Sequence, residues 1–150
     1  MGKIKKILVT GAAGFLGSHL SQKLSDQGHE VIGIDNMIGG YSDNVPKNIK
    51  FFNFDCCNLK KMNEIMIGVD VVYHCAATAH EGLSVFSPYE IGKNNFLASS
   101  SVFSSAISNK VKRIIFCSSM ARYGSQKTPF NEDMMPKPVD PYGISKVASE

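Results

Sequence analysis

Tyr142 and Lys146 stand four residues apart in the stretch "DPYGISKVASE". On a helix, that spacing places both side chains on one face. A tyrosine is a poor base near neutrality, because its ordinary pKa is about 10. A neighbouring ammonium stabilises the phenolate and lowers that value. The two residues therefore have the makings of a proton-transfer pair. They would equally suit the wet face of a last helix, so the residues upstream have to decide.

Upstream, "TGAAGFLGSHL" sets Gly11, Gly14 and Gly17 at intervals of three. The first permits a tight turn, the second lets backbone approach a pyrophosphate, and the third lets a helix pack close to a strand. A helix that starts there offers free N–H groups and a positive dipole end to phosphate. Asp35 follows at the distance expected of a carboxylate that accepts both hydroxyls of an adenosine ribose. It would repel a 2′-phosphate, and Asn36 and Met37 offer no arginine to hold one. These residues point to NAD rather than NADP. Asp55 is placed either to reach an adenine amino group or to cap the helix that starts near Leu59. In "HCAATAH", the small residues Cys75, Ala76 and Ala77 leave room for a cofactor against the backbone. His74 and His80 lack the further ligands that a metal site requires. Ser118 and Ser119 stand where a substrate would lie, or simply form a turn.

Alternating elements must position these residues. "KKILVTG", "EVIGIDN", "IKFFNFD", "VDVVYHCAA" and "VKRIIFCSS" read as five short apolar strands. Between them lie helical patterns. "FLGSHLSQKLSDQGH" sets Leu16, Leu20 and Leu24 on one face, "LKKMNEIMIG" is short, and one long helix is expected from about 88 to 109. Pro141 opens a last helix. Strands apolar on both faces and alternating with helices predict an α/β fold, a doubly wound parallel sheet of Rossmann type. Ligands then collect beyond the carboxyl ends of the strands, where the residues above all fall.

Composition narrows the class. The 150 residues are 43% hydrophobic and 19% charged, which suits a folded chain rather than a disordered one. The net charge is only +3 and the basic residues are scattered, which argues against a nucleic-acid partner. No apolar run is long enough to span a membrane. The N-terminal apolar run is too short for a signal peptide. Gly2 invites an acylation reading, but Lys6 stands where that motif needs Ser or Thr. The four cysteines show neither a CxxC pair nor zinc spacing, so no metal is expected and the thiols read as reduced. A cytoplasmic address is expected.

Taken together, "TGAAGFLGSHL", "IDN", "HCAA", "FCSSMARYG" and "PYGISKVASE" resemble the extended short-chain dehydrogenase/reductase family, and within it the NAD-dependent sugar-nucleotide epimerases and dehydratases. The resemblance covers the whole chain. It implies that Gly11, Gly14, Phe15, Leu16 and Gly17 hold a pyrophosphate. It gives Asp35 and Asn36 the adenosine ribose and Asp55 and Cys56 the adenine. Cys75, Ala76, Ala77 and Asn94 would line the rest of the cofactor, with Tyr142 and Lys146 also touching it. Ser119, Tyr142 and Lys146 would be catalytic, transferring a proton while hydride passes between a nucleotide sugar and NAD. The dehydratases and decarboxylases of the family carry an acidic residue just after the catalytic Ser or Thr. Here Met120, Ala121 and Arg122 follow Ser119, which favours an epimerase or simple oxidoreductase. Arg122 has no role in this reading.

Family members run to about twice this length. Residues 1–150 are therefore expected to be an incomplete dinucleotide-binding domain without its C-terminal substrate domain, and inactive alone. A homodimer through the 88–109 helix and the Tyr142 helix is implied by the resemblance. The competing expectations are a non-catalytic NAD-binding module and a dehydratase or reductase of the same family.

Overall fold

The strand order decides where a ligand goes. The structure, a computed structural model, describes residues 4–150. Gly2 lies outside the described residues. The strands are β1 (Lys6–Thr10), β2 (Glu30–Asp35), β3 (Lys50–Asn53), β4 (Val71–His74) and β5 (Arg113–Phe116). They form one parallel sheet in the order β3-β2-β1-β4-β5. The order reverses between β1 and β4, which opens a crevice at their carboxyl ends. The expected doubly wound sheet is present.

Helices cover both faces. They are α1 (Phe15–Asp26), α2 (Leu59–Ile65), α3 (Glu81–Ser84), α4 (Pro88–Ile91), α5 (Ala98–Ser108) and α6 (Pro141–Ser149). On one face Leu8, Ile32, Ile34 and Val72 pack with Met62, Met66, Val102 and Ala106. On the other, Ile7, Val9 and Val31 pack with Ala12 and Leu24. The outer strands differ from the expectation of two buried faces. β3 is largely exposed and β5 is half-buried.

Two helices depart from their patterns. The expected stripe on α1 was Leu16, Leu20 and Leu24. Leu24 is buried and Leu20 half-buried against the core as expected, but Leu16 is 54% exposed, and Gly17, Ser18 and Ser21 are buried. The helix begins so close to β1 that a Cβ on Gly17 would strike the Gly11 carbonyl. Small residues are needed there, and apolar bulk is pushed outward. The expected helix over 88–109 is continuous but not uniform. A π-helical stretch, Gly92–Leu97, joins α4 to α5. Such wide turns concentrate at functional sites.

A buried polar chain ties the centre together. His74 is fully buried. Its Nδ1 lies 2.6 Å from Thr10 Oγ1 and its Nε2 lies 3.0 Å from Ser99 Oγ. The Ser99 hydroxyl donates to the Asn95 carbonyl, and the Ala76 N–H donates to Thr10 Oγ1. Ser99 therefore accepts from His74 Nε2–H, and Thr10 donates to Nδ1. The ring is neutral with its proton on Nε2, and both nitrogens are committed within the core. Burial, with the Lys146 charge, pushes the imidazole down to about 3.

The sign of the consequence is fixed. The unfolded imidazole takes up a proton near its ordinary value of about 6.5, and the folded one resists until about pH 3. This contribution to stability is complete above about pH 6.5. It declines as pH falls toward 3, by at most about 1.4 kcal/mol per pH unit. The His74 ring resonances should accordingly stay unshifted from pH 8 to pH 5 in an NMR titration. An ordinary titration near pH 6.5 would contradict the neutral buried ring.

Candidate active site

The site begins at the turn between β1 and α1. Gly11 has φ of 72°, a left-handed conformation that favours glycine, and a Cβ there would lie 2.9 Å from the Ala76 nitrogen. The turn thus packs directly on the chain leaving β4. Gly14 is the N-cap of α1, and no side chain caps the helix. The first-turn N–H groups and the positive end of the helix are left for an anion.

That helix end opens into a cavity of about 330 Å³. Gly11, Gly14, Phe15, Leu16 and Gly17 form one wall, and Asp35, Asn36, Asp55 and Cys56 another. Cys75, Ala76, Ala77 and Asn94 complete the set picked out in the sequence. The loop Ile38, Gly39 and Gly40 and the segment Thr78 to His80 also line it. His80 thus stands at the cavity, well away from the buried His74 ring in role, and no group of three metal-ligating side chains occurs among the described residues.

Asp35 is 8% exposed at the end of β2. One carboxylate oxygen accepts the Ala13 N–H at 3.0 Å and the other accepts the Met37 N–H at 2.8 Å. Each oxygen keeps a further lone pair, so the group can still accept a diol. A Cβ on Gly40 would come within 3.0 Å of Asp35 Oδ1, so a glycine leaves this carboxylate its space. Asn36 donates to Asp55 at 3.3 Å. Burial works to raise the Asp55 carboxyl. The Cys57 N–H and thiol, the Asn36 amide and the Lys93 charge outweigh it and hold the carboxyl below its usual value. The alternative role for Asp55, as helix cap, falls to Asn58, whose side chain accepts the Lys61 N–H.

Asn94 provides a test of fit for a nucleotide. Its amide nitrogen donates to Thr78 Oγ1 at 3.1 Å, while its buried Oδ1 has no partner. A buried acceptor left unmade costs about 1–3 kcal/mol. A donor on a ligand in the adjoining cavity would remove that cost. With the uncapped helix end and the Asp35 carboxylate, the donor set suits a dinucleotide.

Ser119, Tyr142 and Lys146 lie outside the cavity lining, beyond β5 and on α6. Ser119 caps a short 3-10 turn, its oxygen accepting the Ala121 N–H at 3.1 Å. Its own O–H is thereby left to donate elsewhere. Lys146 is 3% exposed. Its ammonium donates to the Cys117 carbonyl at 2.8 Å and lies 4.9 Å from the Phe116 ring centre and 5.9 Å from that of Tyr142. Burial lowers the Lys146 pKa, opposed by the neighbouring Cys117 and Cys75. Tyr142 is 7% exposed, so both members of the pair are buried rather than on a wet face.

Several positioning residues escaped the sequence reading. Asn95, 2% exposed, accepts the Thr78 N–H and donates to the Thr78 carbonyl and to Ser145 Oγ on α6. It joins the cavity wall to the helix that carries Tyr142. Nothing in "KNNF" marks it, because the π-helical turn alone brings it inward. Asp140 caps α6 by accepting the Gly143 N–H at 2.8 Å. Its signal was present, since Asp before Pro is an ordinary helix start. Arg122, without a role in the sequence, forms a two-pronged pair with Glu150, which Ser118 also contacts.

The parallel doubly wound sheet, with a groove at its switch point and an uncapped glycine turn, is a Rossmann-type fold. The chain belongs to the NAD dependent epimerase/dehydratase family, whose model matches residues 7–150. It is 34% identical over 147 residues to a UDP-glucose 4-epimerase of Halalkalibacterium halodurans, covering 96% of this chain and 44% of that protein. It is 33% identical over 132 residues to a UDP-N-acetyl-alpha-D-glucosaminuronate decarboxylase of Bacillus cytotoxicus, covering 86% of this chain and 41% of that one. The crystal structure of UDP-glucose 4-epimerase from Brucella ovis in complex with NAD superposes with a TM-score of 0.91 at 31% identity, covering 97% of this chain and 45% of that chain. The chain thus spans less than half the length of these relatives.

The buried ammonium carries a stability consequence. The folded chain holds the Lys146 proton less tightly than the unfolded chain does, so the charge opposes folding at neutral pH. In denaturant unfolding at pH 7, Lys146→Met should match or exceed wild type. Its advantage should shrink as pH rises toward the ordinary lysine value of about 10.4. A clear loss of stability in the variant would show that the ammonium is a structural tie.

Proposed function

We propose that this chain holds NAD and forms the cofactor-binding, proton-transferring part of a nucleotide-sugar epimerase. The observation that carries the reading is Lys146, a buried ammonium beside the Tyr142 ring. A protein that only bound a nucleotide would gain nothing from this costly placement. The family and the relatives' names support the cofactor and the substrate class.

In this reading the first turn of α1, with Gly14, Phe15 and Leu16, meets the pyrophosphate. Asp35 and Asn36 meet the adenosine ribose, and Asp55 and Cys56 flank the adenine. Cys75, Ala76 and Ala77 form a close wall, and the orphaned Asn94 Oδ1 accepts from the cofactor. Bound NAD would accept hydride from a sugar carbon and return it to the other face. Tyr142 would take the proton of the sugar hydroxyl and give it back. Lys146 has two N–H donors beyond the one on Cys117, for a ribose hydroxyl and for charge stabilisation at Tyr142. The free Ser119 O–H would donate to the reacting oxygen. Glu150 reaches the same turn, but Arg122 and Ser118 hold its carboxylate. That engagement supports epimerase over chemistry that requires a free acid there.

The remaining length of the relatives has no counterpart here, and the sugar nucleotide is proposed to contact sequence outside residues 1–150. No helix among the described residues is long and apolar enough to cross a membrane. A second copy of the chain is the proposed partner for exposed Tyr89, Phe96, Leu97 and Ile107, which lie on or between α4 and α5.

Two measurements test the proposal. Calorimetry on this chain should give NAD binding at least about tenfold tighter than NADP, since a 2′-phosphate would meet the Asp35 carboxylate. Tighter NADP binding would overturn the role of Asp35. In the protein that carries these residues, interconversion of UDP-glucose and UDP-galactose should fall by about 10²–10⁴ in Tyr142→Phe. NAD affinity should change little. Absence of turnover with every nucleotide sugar in wild type, with NAD still bound, would leave a binding module instead.

A further inference from the structure

β4 and β5 end in register. His74 pairs with Phe116, and the Cys117 N–H donates to the His74 carbonyl at 3.1 Å. The next residues on the two strands are Cys75 and Cys117. Their thiols are free and hydrogen-bond one another, with sulfurs 3.7 Å apart. Neighbouring strands lie about 4.8 Å apart, inside the Cα range of about 4.4–6.8 Å that a disulfide spans. Closing the sulfurs to the bonded distance of about 2.05 Å requires side-chain rotation rather than a change of register.

We propose that Cys75 and Cys117 are a reversible dithiol site that takes a hydroperoxide as oxidant, and that the resulting disulfide disables the nucleotide groove. The first part stands on the geometry of the pair. The effect on the groove rests on the nucleotide-binding reading above.

The chemistry balances. A Cys117 thiolate attacks the outer oxygen of the hydroperoxide. An S–O bond forms, the O–O bond breaks, and the alcohol or water leaves with a proton. The Cys75 sulfur then attacks the Cys117 sulfur. The S–S bond forms, the S–O bond breaks, and water leaves with the Cys75 proton. The two thiols lose two electrons and the peroxide gains them.

The surroundings favour this order. The thiol contact with Cys75 lowers Cys117 against burial, with help from the Lys146 ammonium. The same contact and burial raise Cys75. Thiolate character at a partly accessible cysteine beside a second thiol is the setting in which a sulfenic acid is resolved to a disulfide. Both residues are only partly buried.

Neither strand end has slack. The Cys75 backbone lies against the glycine turn, since a Cβ on Gly11 would be 3.1 Å from its carbonyl carbon. Cys75 also lines the cavity, and the Cys117 carbonyl holds Lys146. Rotating the two side chains to bond the sulfurs reshapes the part of the cavity wall that Cys75 forms, next to the carbonyl that holds the ammonium.

The test uses this chain, hydrogen peroxide and intact and peptide mass spectrometry. Brief oxidation should remove two of the four free thiols, lower the mass by about 2 Da and join the peptides of Cys75 and Cys117. NAD affinity should fall at least about tenfold and return with dithiothreitol. Cys75→Ser and Cys117→Ser should each abolish the cross-link. The wild-type peptide map stands even if a variant folds poorly. A cross-link elsewhere, thiols that remain reduced, or a Cys75–Cys117 disulfide with unchanged NAD affinity would each overturn the proposal. If the reduced chain does not bind NAD at all, the nucleotide reading fails while the disulfide remains readable.

Discussion

The turn after β1 packs tightly against its neighbours, and the rest of the site hangs on that packing. Gly11 touches the backbone at Ala76, and Gly17 touches Gly11. Side chains at either place would force α1 away from the sheet. With them absent, α1 starts against the crevice between β1 and β4. Its positive end points into the groove that Asp35, Asn36 and Ala76 also line. The close approach also explains why α1 buries serines and glycine, while Leu16 faces out toward the cavity.

A second junction connects that groove to α6. The π-helical stretch Gly92–Leu97 turns two consecutive asparagines to different tasks. Asn94 presents an unmatched acceptor at the cavity. Asn95 grips both backbone polar groups of Thr78 and reaches Ser145. A regular α-helix separates adjacent side chains by about 100° and would struggle to hold both within one wall. The π turn packs against α6 as well as joining α4 to α5.

Much of the centre is polar, at a cost to folding. His74 is held neutral, Lys146 is buried as an ammonium, and the Asp35 carboxylate takes two backbone N–H groups. Buried polar groups are tolerable when their hydrogen bonds are made. His74 and Asp35 meet that condition within the described residues. Asn94 does not, and Lys146 uses only part of its donor capacity on Cys117. In the proposed function these incomplete groups meet the ligand, as expected when stability is given up for function.

The sequence determined what depends on local spacing. Glycines at 11, 14 and 17, a carboxylate at 35, and a Tyr-to-Lys interval of four are periodic or positional signals. Five apolar runs separated by helices were enough for the doubly wound sheet, because parallel strands need both faces covered. Local sterics turned Leu16 out of the leucine stripe on α1, and a helix broken by a π turn carries no pattern in "GKNNFL". Tertiary structure alone decided the long-range matters. It set Asn95 against Thr78 and Ser145, gave the cap of α2 to Asn58 rather than Asp55, and placed Glu150 on Arg122. It also aligned the ends of β4 and β5 so that Cys75 meets Cys117 across 42 residues of chain. Sequence spacing reports neighbours along one element. Contacts between elements depend on register and on side-chain direction, which exist only after the sheet has formed.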